Sequence, residues 1–253
     1  MRILLEVAYD GTSYNGWQEQ PDAVTIEGML NQALKTLTNE DISVIGASRT
    51  DSGVHSLGNV CVFDTVSHIP AEKFCYALNQ YLPDDIVVKK SYEVPGDFHP
   101  RHCDSVKTYE YRIWNDTFPC PVLSRNSCFS YRRIDISRMR EAAAHLVGEH
   151  DFGAYCSSGS QAETTVRTIY SVDIIEEKLP DHPSGRMIRI RVKGSGFLYN
   201  MVRIIAGTLL DIGTGLMEVS DIERSLVSAD RSDAGPTAPA AGLTMIGIQF
   251  LGK

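Results

Sequence analysis

Hydrophobic and polar positions along the chain fall into short blocks of two periods. Residues 3–9 (ILLEVAY) alternate as a strand, and a Gly-, Asp- and Asn-rich loop follows to residue 23. Thr25 can cap a helix running to about Leu37, with Ile26, Met29, Leu30, Ala33, Leu34 and Leu37 on one face. Residues 42–47 and 59–65 read as strands, Pro70 opens a helix over AEKFCYALNQY, and residues 85–91 form a further strand. The order strand, helix, strand, strand, helix, strand is the ferredoxin-like pattern.

The second half repeats the theme with insertions. Residues 108–114 (TYEYRIW) alternate as a strand, 137–147 form a helix, and 166–175 and 187–192 form antiparallel strands. Residues 197–210 are mainly apolar and helical, 219–227 form a short helix, and 243–250 close as a strand. The expected fold is α+β: two α/β lobes with antiparallel sheets, residues 1–105 and 106–253, flanking a cleft. Neither a low-complexity tract nor a short repeat interrupts them.

Composition leaves this picture in place. The 253 residues are 43% hydrophobic and 22% charged, ordinary for a globular protein. No apolar run approaches the roughly 20 residues of a membrane span, and the N-terminus lacks the marks of a signal peptide. The chain therefore reads as cytosolic. The six cysteines form no CxxC pair, so no structural metal is expected; they read as reduced, mostly buried thiols.

Charge changes the picture more. The net charge of −8 speaks against a simple nucleic-acid binder. Yet Arg186, Arg189, Arg191, Lys193 and Arg203 fall in a stretch without acids, and Arg101, Lys107, Arg112, Arg125, Arg132, Arg133, Arg138 and Arg140 cluster earlier. Local basic surface can capture phosphates, because screening confines each interaction to about 8–10 Å. The alternative is a pair of solvated strand and helix faces.

Between the second and third strands lies Ser48-Arg-Thr-Asp-Ser-Gly-Val-His-Ser-Leu-Gly58, longer than an ordinary hairpin loop. It presents Arg49, Asp51 and His55 within seven residues. Asp51 admits three readings. It could be a turn aspartate bonded to nearby backbone. Asp51-Ser52-Gly53 resembles the aspartic-protease tripeptide, but that chemistry needs two facing aspartates and only one such tripeptide occurs. Or Asp51 could be a carboxylate nucleophile, ionised without a partner base because a free aspartate titrates near 3.9.

Arg49-Thr50-Asp51-Ser52-Gly53-Val54-His55 resembles the Gly-Arg-Thr-Asp-Ala-Gly-Val-His-Ala motif of the TruA family of pseudouridine synthases. Tyr9-Asp10-Gly11-Thr12 with Gly16-Trp17-Gln18-Glu19-Gln20 is similar to that family's N-terminal loop, and residues 197–207 (FLYNMVRIIAG) to one of its helices. Weaker likenesses lie at Phe98-His99-x-Arg101, Lys107-Thr-Tyr109-Glu-Tyr111 and residues 238–243. The likeness spans the chain in order. It departs at Ser48, where glycine is usual, at Ser52 and Ser56, where alanine is usual, and at His102, where phenylalanine is frequent.

The resemblance implies the pseudouridine synthase fold and an isomerisation that needs neither cofactor nor metal. It implies Asp51 as covalent nucleophile on a flipped-out uridine, with attack at sugar C1′ or base C6 left open. Tyr109 takes the place of the family's stacking tyrosine, a candidate acceptor for the C5 proton. Arg203, set among Val202, Ile204 and Ile205, needs a partner, because an unpaired buried charge is costly; Asp51 is the expected one. Arg49 is expected to fill the space the base leaves or to touch its phosphate. Arg101 and Lys107 are expected RNA contacts, and His55 either an RNA contact or a loop-packing residue. The implied substrate is the anticodon arm of tRNA, with uridines at tRNA positions 38, 39 and 40, bound by a homodimer. The rival is a non-catalytic RNA-binding protein of the same fold.

Overall fold

The computed structural model describes residues 1–179 and 184–251. It divides into two compact units, Met1–Ser105 with Met245–Lys253, and Val106–Thr244.

In the first unit, apolar alternation along β1 (Arg2–Tyr9) sends Ile3, Leu5, Val7 and Tyr9 into one cluster and Leu4 into another. Thr25 Oγ1 accepts the Gly28 amide and caps α1 (Ile26–Thr38), which buries Ile26, Leu30, Ala33 and Leu34 in the larger cluster. Asn39, in the left-handed region at φ 59°, ends that helix. β2 (Ile45–Gly46) pairs with β3 (His55–Asp64). Helix α2 (Phe74–Leu78) adds Phe74 and Leu78 to the core, and β4 (Ile86–Val94) lies antiparallel to β1. β1 is also antiparallel to β3, so the order is β4–β1–β3–β2, a ferredoxin-like unit.

Three expected elements change here. The strand expected over 42–47 shrinks to two residues, because Asn31 Oδ1 takes the Val44 amide. β3 begins at His55 rather than 59, so His55 lies in a strand. The helix after Pro70 ends at Leu78, where the Asn79 side chain bonds both the amide and the carbonyl of Val88.

The second unit departs from that succession, with two strands before its first helix and three strands before its second. It contains β5 (Ser105–Asn115), β6 (Cys128–Ser130), α3 (Ile136–His145), β7 (Gly148–Asp151), β8 (Val166–Lys178), β9 (Arg186–Gly194), α4 (Met201–Gly213) and α5 (Ser220–Ser228). Strand β10 (Leu243–Phe250) closes the chain, mostly within the first unit, where Ile248 and Phe250 pack beside Leu4, Val60 and Phe98. The second unit's strands run β5–β9–β8–β7, all antiparallel, with β6 parallel to β5. Asp135 Oδ1 caps α3 by accepting the Ser137 and Arg138 amides, and α3 packs on β8 and α4. Among the described residues no helix is long and apolar enough to cross a membrane. Cys61 and Cys75 are buried; the other four cysteines are only half-buried, fewer buried thiols than expected.

Opposite Arg191 across the β5–β9 ladder lies Glu110, a carboxylate only 1% exposed. Its Oε1 accepts from Arg112 Nε at 2.9 Å and its Oε2 from Arg191 Nη2 at 2.7 Å. Burial raises its pKa, but the two arginines outweigh this and hold it below the ordinary carboxylate value. Its contribution to stability is thus complete above about pH 4.3 and lost as pH falls through the depressed native value. Glu110→Ala strands two arginine heads and should cost about 3 kcal/mol, or roughly 6–12 °C in Tm. Thermal melts at pH 7 and pH 3 check this; an equal Tm gap at both would remove the ion triad as the cause.

Candidate active site

Asp51 stands in the turn between β2 and β3, and the residues on both sides of it are tied down. Before it, Thr50 is 7% exposed, and its Oγ1 shares a 2.8 Å hydrogen bond with Tyr9 Oη on β1. Asn59, on β3, donates Nδ2 to the Ser48 carbonyl at 2.9 Å and to Tyr9 Oη at 3.3 Å. After it, the Val54 amide closes the turn on the Asp51 carbonyl at 3.1 Å, and Gly53 supplies a φ of +77°.

The N-terminal loop clasps this turn. The Trp17 amide donates to Thr50 O at 3.0 Å, and Tyr14 O accepts from the Gly53 amide at 3.2 Å and from Ser52 Oγ at 3.3 Å. The serine that departs from the usual alanine therefore adds a bond. Two glycines permit the approach. Gly16 has φ +88°, and a Cβ on it would lie 2.5 Å from Thr50 O; a Cβ on Gly11 would lie 2.0 Å from Val54 O. The motif segments at 9–20 and 49–55, far apart in sequence, are one structure.

Tyr14 anchors the clasp. Its hydroxyl donates to Asp85 Oδ1 at 2.5 Å. Burial first, then the neighbouring Asp85 carboxylate, push its pKa upward, so it stays a neutral donor. His55 Nδ1 accepts the Gly11 amide at 3.1 Å and lies 3.1 Å from Asp10 Oδ1. Asp10 Oδ1 also takes the Thr12 amide. Buried His55 thus holds the N-terminal loop from below. Arg101 Nε donates to Gly46 O at 2.7 Å, while Arg49 is exposed.

The other expected site residues belong to the second unit. Lys107 and Tyr109 lie on β5, opposite Gly194 and Val192 of β9. Tyr109 is buried, its ring edge-on to Phe197 with centroids 5.2 Å apart. Arg203 sits in the first turn of α4. Its Nε donates to Ala238 O at 2.8 Å and its Nη1 to Asn200 Oδ1 at 2.7 Å. Asn200 takes the left-handed region at φ 61° and bonds Ser157 Oγ. The approach of residues 236–238 to α4 needs Gly207, whose Cβ would meet Pro236 O at 1.9 Å. Arg49, Asp51, His55 and Arg101 thus share one unit, and Lys107, Tyr109 and Arg203 the other.

The sequence motifs do not single out Tyr14, Asp85, Asn59 or Asn200. Asn59 did leave a signal, as a polar amide opening the apolar run NVCVF. Asp85 left none, because its partner is 71 residues away.

A family model described as tRNA pseudouridine synthase matches residues 6–102 and 142–250. The chain belongs to the tRNA pseudouridine synthase family. It is 44% identical to tRNA pseudouridine synthase A of Acetivibrio thermocellus over 248 residues, 98% of this chain and 99% of the relative. It is 46% identical to tRNA pseudouridine synthase A of a Thermoanaerobacter species over 250 residues, 98% and 99% of the two chains. The Brevibacillus brevis tRNA pseudouridine synthase A shares 44% identity over 246 residues, 96% and 97%. The tRNA pseudouridine synthase model matches the segments holding Asp51 and Arg203, and leaves out residues 103–141, which hold Tyr109.

Proposed function

We propose that the chain is an enzyme that isomerises uridine to pseudouridine in tRNA, with Asp51 as covalent nucleophile. One observation carries most of the support: peptide groups of residues 11–17 clasp residues 50–55, so that a carboxylate stands on a fixed turn. The chain's alignment with tRNA pseudouridine synthases over nearly its whole length supplies the reaction class.

In this reading the target uridine leaves its stack, which costs a few kcal/mol. Stacking on Tyr109 returns about 1–3 kcal/mol. Asp51 attacks the nucleotide at C1′ or C6, and the bond from N1 to C1′ breaks. The uracil turns, C5 bonds to C1′, and the bond to Asp51 breaks, which restores its carboxylate. C5 then gives its proton to Tyr109 as the tyrosine's own hydroxyl proton passes through water to N1, so atoms and charge balance without an outside reagent. Arg203 keeps Asp51 ionised. Arg49 fills the space the base leaves or meets its phosphate, Arg101 and Lys107 touch RNA backbone, and His55 holds the clasp. The substrate is the anticodon arm, at tRNA positions 38, 39 and 40, recognised by shape and backbone. A cytoplasmic homodimer with a joint basic groove reconciles the net charge of −8 with an anionic partner.

The test uses unmodified tRNA tritiated at uridine C5. Wild type should release tritium and leave pseudouridine in the nucleoside digest. Free uracil or cleaved RNA would replace the proposal with hydrolysis, and binding without tritium release would replace it with a non-catalytic binder. Tyr109→Phe keeps the ring beside Phe197 but lacks the hydroxyl. Tritium release should fall by at least about 100-fold, the scale of a lost acid–base group, with tRNA affinity nearly unchanged. Release at the wild-type rate would take the proton role from Tyr109.

A further inference from the structure

Beneath the nucleophile turn lies a buried polar network that plays no part in the chemistry proposed above. Asn59 is 0% exposed, at the head of the apolar run VCVF on β3. A buried amide there is costly unless bonded. Its Nδ2 donates to Ser48 O at 2.9 Å and to Tyr9 Oη at 3.3 Å, and its Oδ1 takes the Val60 amide at 2.9 Å. Tyr9 Oη and Thr50 Oγ1 share a bond of 2.8 Å. The network thus joins two strands, β1 and β3, to both residues that matter for the aim of Asp51: Ser48 at the entry of the turn and Thr50 next to the nucleophile. Packing alone would ask for apolar side chains at positions 50 and 59. Hydroxyl and amide groups bring direction, which packing lacks.

We infer that Tyr9, Thr50 and Asn59 form a positioning network that sets the reach of Asp51, acting on the rate of its attack rather than on tRNA binding. The inference rests on Asp51 being the nucleophile. Misplacement of a reacting group by about 1 Å costs on the order of 100-fold in rate. A turn that loses its hydroxyl anchor drifts by less, so a loss of about 30-fold is expected.

The experiment measures single-turnover pseudouridine formation at saturating tRNA, tRNA Kd and Tm for wild type and four variants. Tyr9→Phe keeps the ring that packs 6.1 Å from Trp17, and Thr50→Val keeps the shape of threonine, so both should fold. Each should react about 30-fold slower, with Kd within about twofold; Tm should fall by no more than about 6 °C for Thr50→Val, the scale of one lost hydrogen bond, and about 12 °C for Tyr9→Phe, whose hydroxyl bonds both Thr50 and Asn59. Thr50→Ser retains the hydroxyl and should recover to within about threefold of wild type. Because Tyr9 and Thr50 share one bond, the double variant Tyr9→Phe/Thr50→Val should be no slower than about twice the worse single. Unchanged rates overturn the inference. So do a Thr50→Ser variant as slow as Thr50→Val, fully multiplied losses in the double variant, or a loss carried by Kd. If wild type makes no pseudouridine at all, the proposed function falls and takes this inference with it. If wild type is active and Tyr9→Phe equals it, only the positioning network falls.

Discussion

Replacing Asp51 by asparagine should abolish pseudouridine formation, by at least about 10⁴-fold, while tRNA still binds. The size follows from the role proposed for Asp51. Removing a covalent nucleophile leaves only the binding and electrostatic part of catalysis, and losses of about 10⁴–10⁶ are its scale. The survival of binding follows from the turn. Its closure uses the Asp51 carbonyl, with the Val54 amide at 3.1 Å, and its clasp uses Tyr14 O, Thr50 O and the Trp17 amide. None of these changes when the side-chain carboxylate becomes an amide. Loss of one negative charge beside phosphates should leave Kd equal or slightly lower. Tritium release and a filter-binding titration on the same preparation decide the matter. Parallel loss of both would make Asp51 a structural residue, and an active Asp51→Asn would end the nucleophile assignment.

The second large effect should come from a methyl group. In Gly11→Ala the new Cβ would lie 2.0 Å from the Val54 carbonyl oxygen and 2.6 Å from its carbon. Both are backbone atoms, so no side chain can swing away. Ordinary contact needs more than about 3 Å, and one of the two loops has to move by about 1 Å. The same residue donates its amide to His55 Nδ1, so the movement also pulls that bond. The expected cost is about 1–3 kcal/mol of stability, or roughly 2–12 °C in Tm, and about 100-fold or more in turnover. Gly96→Ala is the matched control, since a Cβ there meets nothing within 4 Å, and it should leave both quantities unchanged. Equal behaviour of the two variants would mean that residues 11 and 54 need not touch for catalysis.

Local rules served well where the interactions are local. Thr25 reads as a cap and accepts the Gly28 amide, and the apolar stripe of α1 is the face it buries. The alternation of β1, β5 and β9 survives as strands because each has one face on a core. Misses occur where a distant group competes for a backbone atom. Asn31 takes the Val44 amide and cuts β2 short. Helix α4 starts at Met201 rather than 197, because Asn200 turns left-handed to hold Arg203 and Ser157. Strand β6 exists through its parallel partner β5, which three residues of sequence cannot announce. At the candidate site, the motif segments at 9–20 and 49–55 are legible in the sequence, and the structure joins them. The bonds of Tyr9, Tyr14, Asn59 and Asp85 are not, because each joins residues that only the fold makes neighbours.

The clasp on Asp51 is written largely in peptide groups, and this decides what kind of chemistry can probe it. Truncating the solvent-facing side chains of Ser13 or Asn15 leaves every strut of it in place, so a conventional scan of that loop will read as silence. Exchanging a single amide for an ester at Gly53, by semisynthesis, deletes the N–H that donates to Tyr14 O while leaving every side chain in place, and so speaks directly to the support that holds the carboxylate.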